Sequence, residues 1–395
     1  MGELSEPIRI GVVGAGNRGR NHANRYERIP GAEVVAVADV DEPRAERIAE
    51  RHGADHYPSH EALLEQADCD AVNVCVHAAL HAEIGIDAAA AGVHVFCEKP
   101  MADGYAAARR LREAADDAGV ELAVQNQLLY TKETRAARSL VEAGELGDVY
   151  HAVAGRSPGY AFNPEPVEGQ VGPRRRGTPY VDGYGSPAFV REETAGGGAV
   201  YDLGSYTVGQ LLYLLGSPTV KRVRGETFQT VPERVADDGE YARRIEDSGY
   251  DVEDGGVGFV TFRDGTVLSV RASWARYADV EPSALVGTEG GVRLDPFEYF
   301  ATVGDVEMRA SADLDEYLFR EQYLRGERGR TAHREDLWPD PLYHWIESLR
   351  GAAASPPTAD LALESMVVLD GIVRSASEGR ELAREEIVDA PEADG

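Results

Sequence analysis

The stretch that most limits what this chain can become lies near its start. Ile8-Arg9-Ile10-Gly11-Val12-Val13 reads as a short buried strand, and Gly14-Ala15-Gly16-Asn17-Arg18-Gly19 follows it at once. A helical run from Arg20 to Arg28 comes next, then the strand Glu33 to Asp39, which ends in an acid. Alone, G-x-G-x-x-G is weak evidence in a chain with 43 glycines. Between a strand and a helix, with an acid at the end of the following strand, it predicts a dinucleotide-binding turn. Gly14 permits the tight turn, Gly16 lets a pyrophosphate approach the backbone, and Gly19 lets the helix pack on the strand. The phosphates are expected at the helix start beside Asn17 and Arg18, where free N–H groups and the dipole favour anions. Asp39 is placed to accept from ribose hydroxyls and to repel a 2′-phosphate, which favours NAD over NADP. Arg44 and Arg47 leave NADP possible.

The alternation continues. Ala71–Val76, Val93–Cys97 and Glu121–Gln125 read as strands, with helices from about His81 to Ala91 and Gly104 to Gly119 between them. Repeated βα units imply a doubly wound parallel sheet with helices on both faces. Ligands bind beyond the carboxyl ends of such strands. His77, His81, Glu98, Lys99, Asn126 and Gln127 fall at those ends and are candidate cofactor or substrate contacts.

After about residue 130 the rhythm changes. A helix (Lys132–Ala143) and a strand (Val149–Ala154) precede a Gly/Pro/Arg-rich loop, Ser157–Thr194, with no assignment. A glycine-led helix then reaches about Leu215. Strand-like runs follow at 220–230, 256–262, 267–275, 284–286, 292–294 and 299–303, and helices at Pro341–Leu349 and Leu361–Ser377. Consecutive strands indicate an α+β domain with a large, mainly antiparallel sheet. The expected partition is residues 1–128 and 129–395.

The glycine-led stretch, Gly196-Gly197-Gly198-Ala199-Val200-Tyr201-Asp202-Leu203-Gly204-Ser205-Tyr206, carries an acid and a phenol four residues apart, hence on one helix face. A free phenol, with a pKa of about 10, is a poor base near neutrality. A neighbouring ammonium favours phenolate. Tyr206 as acid/base, Lys99 as its charged partner and substrate-oxygen ligand, and Asp202 as an orienting group are therefore chemically sufficient to oxidise an alcohol. The blander readings are an aromatic facing the core for Tyr206 and complementing the positive helix start for Asp202. Trp274 and Tyr184 by default pack in the core rather than against a sugar. Arg174-Arg175-Arg176 pairs with surface acids or clamps an anionic substrate.

Composition narrows the partners. Forty basic residues against 69 acidic give a net charge of −29, which repels polyanions and argues against nucleic acid. Lysine occurs only as Lys99, Lys132 and Lys221. A carboxylate-rich, lysine-poor surface fits a high-salt cytoplasm, where salt screens self-repulsion. No apolar run is long enough for a membrane span, and the first residues lack a secretory pattern, so cytoplasmic residence is expected. Cys69, Cys75 and Cys97 have neither disulfide nor zinc spacing. His52, His56 and His60 are spaced by four, but Gly53 and Pro58 break the helix a metal face would need. No metal is expected.

With these motifs in place the chain resembles the Gfo/Idh/MocA family of oxidoreductases almost end to end. The resemblance rests on Gly14–Gly19, on Val95-Phe96-Cys97-Glu98-Lys99-Pro100, on Gly196–Gly204 and on Ser375–Arg380. It implies an N-terminal Rossmann domain, a C-terminal open sheet used for homodimer or homotetramer contacts, a nicotinamide cofactor, and a sugar, polyol or cyclitol substrate. Many relatives have His where this chain has Tyr206, a second Asp at Gly209, and Thr-Pro at His77-Ala78. The tyrosine is similar to that of the glucose–fructose oxidoreductase and dihydrodiol dehydrogenase branch. An NAD-dependent glycoside hydrolase using transient oxidation and a non-catalytic NAD-binding regulator remain as alternatives.

Overall fold

The computed structural model describes residues 7–155, 187–230, 240–274, 281–317, 340–354 and 357–390. The chain divides into two compact units. The first joins Met1–Asp103, Ala107–Tyr130 and Phe319–Leu363; the second joins Gly104–Ala106, Thr131–Leu318 and Glu364–Gly395.

Among its described residues the first unit is built on six strands: β1 (Ile8–Val13), β2 (Ala32–Ala38), β3 (Asp55–Tyr57), β4 (Ala71–Val74), β5 (His94–Cys97) and β6 (Leu122–Val124). Their order is β3-β2-β1-β4-β5-β6, and every pairing is parallel. A parallel sheet covered on both faces demands strands without polar alternation; β4 is buried at every position and β1 at all but Arg9. The order reverses between β1 and β4, and a ligand crevice opens outside the carboxyl ends at such a switch point. Gly14, His77 and Glu98 lie just past the ends of β1, β4 and β5.

Three elements of this unit have no counterpart in the sequence-based expectation. The helix Glu42–His52 starts where Asp41 accepts the Arg44 N–H at 3.2 Å and stops at Gly53, whose φ is +68°. Strand β3 and the helix His60–Gln66 follow. His52 thus closes one helix, His56 lies in β3 and His60 opens the next helix, so the spacing of four puts the three on no common helix face. The helix Pro341–Leu349, far beyond residue 128, also belongs to this unit. It begins with Asp340 accepting the Leu342 N–H at 2.8 Å, and the same carboxylate pairs with Arg25 at 2.5 Å. Leu342, Trp345, Ile346 and Leu349 join Ile8, Ile10, Tyr26 and Phe96 in one core, where the Trp345 and Phe96 rings lie 5.2 Å apart.

Among its described residues the second unit carries nine strands: β7 (Val149–Gly155), β8 (Val220–Phe228), β9 (Gly255–Phe262), β10 (Val267–Ser273), β11 (Ala284–Gly287), β12 (Gly290–Leu294), β13 (Phe297–Val303), β14 (Val306–Ser311) and β15 (Leu382–Ala383). They run β14-β13-β12-β11-β7-β10-β9-β8-β15. Only the β7–β10 pair is parallel; the other pairings are antiparallel. The helix Ala199–Leu214 lies on one face, against β7 and β10, where Ala152, Ala154, Leu268 and Val270 are buried. The opposite face is open at Phe259, which is 60% exposed and stands between Arg224 and Ser269 of the flanking strands. Strand β14 and the helix Glu240–Ser248 also went without a sequence signal.

Candidate active site

The glycine turn is built as its spacing predicts. Gly14 has a φ of +95°, and a Cβ there would sit 2.6 Å from the carbonyl oxygen of Cys75. A Cβ on Gly19 would fall 1.8 Å from the carbonyl oxygen of Gly14. At Gly16 nothing lies within 4 Å of an added Cβ. Gly16 is also the N-cap of the helix Asn17–Tyr26, and no side chain caps that helix start. A helix begins at an open, uncapped end, which is the form of a phosphate cradle. The Asp39 carboxylate accepts the Ala15 N–H at 2.6 Å and the Asp41 N–H at 2.9 Å, so it is held against the turn. Arg44, the residue that kept a 2′-phosphate possible, pairs with Asp41 at 3.2 Å. These residues fit NAD.

The second element is the loop after β5. Glu98 is 4% exposed, and its Oε1 lies 3.1 Å from Nε2 of the equally buried His22. Burial pushes the carboxyl up, but the contact with His22 and the charges of His22, Arg18 and Lys99 outweigh it and hold the pKa at about 2. The Lys99 N–H bonds to Oε2 of Glu98 at 3.2 Å. His81 sits beneath the same loop, 1% exposed. Its Nδ1 donates to the carbonyl of Pro100 at 2.7 Å, and its Nε2 faces the carbonyl of Val76 at 3.2 Å. Burial lowers the His81 pKa, against the rise its two carbonyl contacts cause. Both ring nitrogens are therefore directed at the chain's own backbone. The Cys97 thiol reaches the Glu98 carbonyl at 3.2 Å.

Three further positions lie at strand ends. His77 is partly buried, with Nδ1 lacking a hydrogen-bond partner among the described residues. Asn126 is buried and accepts the Leu128 N–H at 3.1 Å, while Gln127 is exposed. The buried polar side chain missed by the sequence reading is Gln125, 3% exposed, whose Oε1 has no partner among the described residues. Its neighbours Asn126 and Gln127 fall just beyond the strand end, whereas Gln125 reads as the last residue of the strand itself.

In the second unit the helix Ala199–Leu214 carries both predicted residues into buried positions, Asp202 at 9% and Tyr206 at 6% exposure. The Trp274 indole N–H donates to Asp202 at 2.8 Å, and its ring stacks on Phe189 at 5.5 Å. Glu253 takes the helix-start role once open to Asp202. Its two oxygens accept the N–H groups of Gly198 at 2.8 Å and Val200 at 2.9 Å. Burial raises the Glu253 pKa, and those backbone bonds oppose the rise. Arg174–Arg176, Tyr184 and most of the Ser157–Thr194 loop lie outside the described residues.

A parallel sheet in this order, with an uncapped glycine turn and an acid held against that turn at its switch point, defines a dinucleotide-binding protein. Residues 8–126 match the oxidoreductase family with an NAD-binding Rossmann fold, GFO_IDH_MocA, and residues 134–293 match the GFO/IDH/MocA C-terminal domain. The chain belongs to the Gfo/Idh/MocA family and is an NAD-binding oxidoreductase. It is 30% identical to D-glucoside 3-dehydrogenase of Escherichia coli over 74% of this chain and 78% of that one. It is 39% identical to inositol 2-dehydrogenase 3 of Saccharopolyspora erythraea over 35% of this chain and 42% of that one. The fold is similar to that of the WlbA dehydrogenase of Bordetella pertussis in complex with NADH and UDP-GlcNAcA. That match has a TM-score of 0.69 at 24% identity and covers 96% and 98% of the two chains.

Proposed function

We propose that this enzyme transfers a hydride between NAD and a secondary hydroxyl or carbonyl of a sugar, polyol or cyclitol. The observation that carries the reading is the buried placement of Asp202 and Tyr206 on one helix of a chain whose first unit holds a complete NAD turn. Bound NAD supplies the hydride acceptor. Lys99 binds the reacting oxygen and stabilises negative charge on it. The deprotonated Tyr206 oxygen takes the substrate proton in oxidation, and the resulting hydroxyl returns it in reduction. Asp202, oriented by Trp274, fixes a substrate hydroxyl. Gly14, Gly16, Asn17, Arg18, Gly19 and Asp39 hold the dinucleotide, and His77, Glu98 and Lys99 border its nicotinamide end. His81 serves the cofactor through the loop it braces. Asn126, Gln127 and the buried Gln125 are substrate contacts at the end of β6. The dehydrogenases of a glucoside and of inositol among its relatives support the substrate class.

The enzyme works in the cytoplasm of a high-salt organism as a homodimer or homotetramer that pairs the open faces of the second unit's sheet. Phe259 at 60% exposure and Val257 at 37% supply the apolar part of that face.

A panel of sugars, glycosides and cyclitols, incubated with NAD or NADP in molar potassium chloride, tests the activity through the near-ultraviolet absorbance of reduced cofactor. Turnover with NAD is expected. Binding of NAD without reduction by any substrate would leave a regulator. Release of a free sugar without net reduced cofactor would indicate the hydrolase. Tyr206→Phe is expected to lose at least about a hundredfold in kcat while keeping NAD affinity; undiminished turnover removes Tyr206 from the mechanism.

A further inference from the structure

A chain of buried polar groups ends at Glu98, next to Lys99, and its other members have no part in the proposed chemistry. Tyr26 and Asn73 are wholly buried, His22 is 1% exposed and Glu98 is 4% exposed. The Asn73 amide donates to the Tyr26 hydroxyl at 2.8 Å and lies 3.0 Å from Nδ1 of His22. The Cys75 thiol donates to Oδ1 of Asn73 at 3.0 Å. His22 meets one oxygen of Glu98, and the other oxygen accepts the Lys99 N–H. A buried carboxylate–imidazole contact is a poor investment for stability alone, because apolar residues of similar volume do as well or better. This pair lies directly against the loop that carries the lysine.

We infer that the His22–Glu98 pair is a positioning device for Lys99, fixing the backbone at residue 99 and keeping a negative charge under its ammonium group. The inference rests on the reading of Lys99 as the residue that binds the reacting oxygen. The backbone on either side of Lys99 is tied down as well. The Glu98 N–H bonds to the Val74 carbonyl at 3.0 Å, Cys97 holds the Glu98 carbonyl, and His81 holds the Pro100 carbonyl. Of these ties, the one made by Glu98 also carries charge. An ammonium beside a fixed carboxylate stays protonated to higher pH. The other titratable groups interacting with Glu98 are Arg18, Cys75, Cys97 and His81. Burial pushes both thiols up and His81 down, which keeps all three neutral, and Arg18 adds positive charge. Glu98 is thus the negative charge in this group. The same charge, paired to His22, cannot swing away to solvent.

The chain has only three lysines, which makes the test direct. Protein carrying lysine isotope-labelled at Cε gives three NMR signals, and Lys99→Arg identifies that of Lys99. In Glu98→Gln the Lys99 titration midpoint is expected to fall by about one pH unit, with Lys132 and Lys221 unmoved. An unmoved Lys99 midpoint in the folded variant would overturn the inference. Should Glu98→Gln fail to fold, Glu98→Asp keeps the charge but draws it back by one methylene. It should shift the midpoint in the same direction by less, and no shift there is equally fatal. Lys99→Met separates the two readings. If it is inactive while the Glu98 variants leave the midpoint unmoved, the positioning role alone is lost. If it retains full turnover, the catalytic reading of Lys99 falls and the inference goes with it.

Discussion

Trp274 donates its indole N–H to Asp202 across 72 positions of sequence, at 2.8 Å. Both residues are 9% exposed, so the bond replaces water that neither group can easily recover. Removing the donor leaves a buried carboxylate short of one partner. Trp274→Phe keeps the ring against Phe189 and deletes only that donor. A hydrogen bond to a charged group is worth about 1.5–3 kcal/mol, and a loss of that order is expected in urea unfolding. If Asp202 orients substrate, kcat/KM should fall by about tenfold or more with NAD affinity unchanged. A variant of wild-type stability and activity would show that the bond has no part in either.

Gly16 and Gly19 are expected to fail differently. A Cβ at Gly19 would lie 1.8 Å from a backbone oxygen, whereas one at Gly16 would meet nothing within 4 Å. Gly19→Ala must push the helix Asn17–Tyr26 off the turn. It should lower thermal stability by several kcal/mol, an order typical of overpacked backbone. Gly16→Val should fold with a melting temperature close to wild type and yet lose NAD affinity by at least about tenfold. Differential scanning fluorimetry with and without NAD distinguishes the two. Equal behaviour of both variants would contradict the assignment of Gly16 to the phosphate face.

Much of the fold was legible because its signals are local. The turn from Gly14 to Gly19 and the acid at Asp39 sit within one βαβ unit, and the helix after Gly198 follows directly from its own apolar run. What the sequence hid is long-range. Asp202 and Tyr206 could be placed on one helix face, but neither Trp274 nor Glu253 is near them in sequence. His22 stands three residues after Gly19, and its partner Glu98 comes from a different strand end. The helix Pro341–Leu349 has an obvious apolar face, yet its pattern does not say which core it completes. Short polar elements such as β3 were hidden because three residues carry too little periodicity to register.

Asp39 is anchored through the Ala15 and Asp41 N–H groups. Its substitution should therefore loosen the turn as well as remove the ribose acceptor. Asp39→Asn is expected to weaken NAD binding by about tenfold, since an amide accepts less strongly and brings two donors to a site that supplies donors already. The same change removes the charge facing a 2′-phosphate, so the preference for NAD over NADP should narrow. Fluorescence titration with both dinucleotides checks this. A preference unchanged from wild type would mean that the discrimination lies elsewhere, with Arg44 the first residue to examine.

His81 gives the protein a pH dependence in a testable window. Its pKa is lowered from the ordinary 6.5, first by burial. The unfolded chain thus binds a proton that the folded chain resists. A base depressed on folding contributes stability that is fully present above its unfolded pKa and is lost as pH falls below it. Between pH values above and below 6.5, wild type should lose more stability than His81→Gln as pH falls. Burial also lowers the pKa of His52 and His94, but they are the same in both proteins and cancel in the difference. Urea unfolding at the two pH values measures it. Parallel losses in the two proteins would mean that His81 is charged inside the fold.

Salt supplies the broadest test, because the chain carries 69 acidic residues against 40 basic ones. Two opposing effects follow from screening. Exposed pairs such as Arg263–Glu385 at 3.0 Å weaken as salt rises. Each such pair is worth about 0.2–1 kcal/mol at low salt. The repulsion among the surplus of 29 negative charges weakens too, and it acts over the whole surface. The Debye length falls from about 10 Å at 0.1 M to about 3 Å at 1 M, which removes most of that repulsion. The surplus should win, and the melting temperature is expected to rise by about 5 °C or more between dilute buffer and molar potassium chloride. Sucrose at matched osmolarity controls for exclusion from the surface, which stabilises without screening. A melting temperature that falls with potassium chloride would show that paired charges, and not the unpaired surplus, govern this surface, and would remove the case for a high-salt origin.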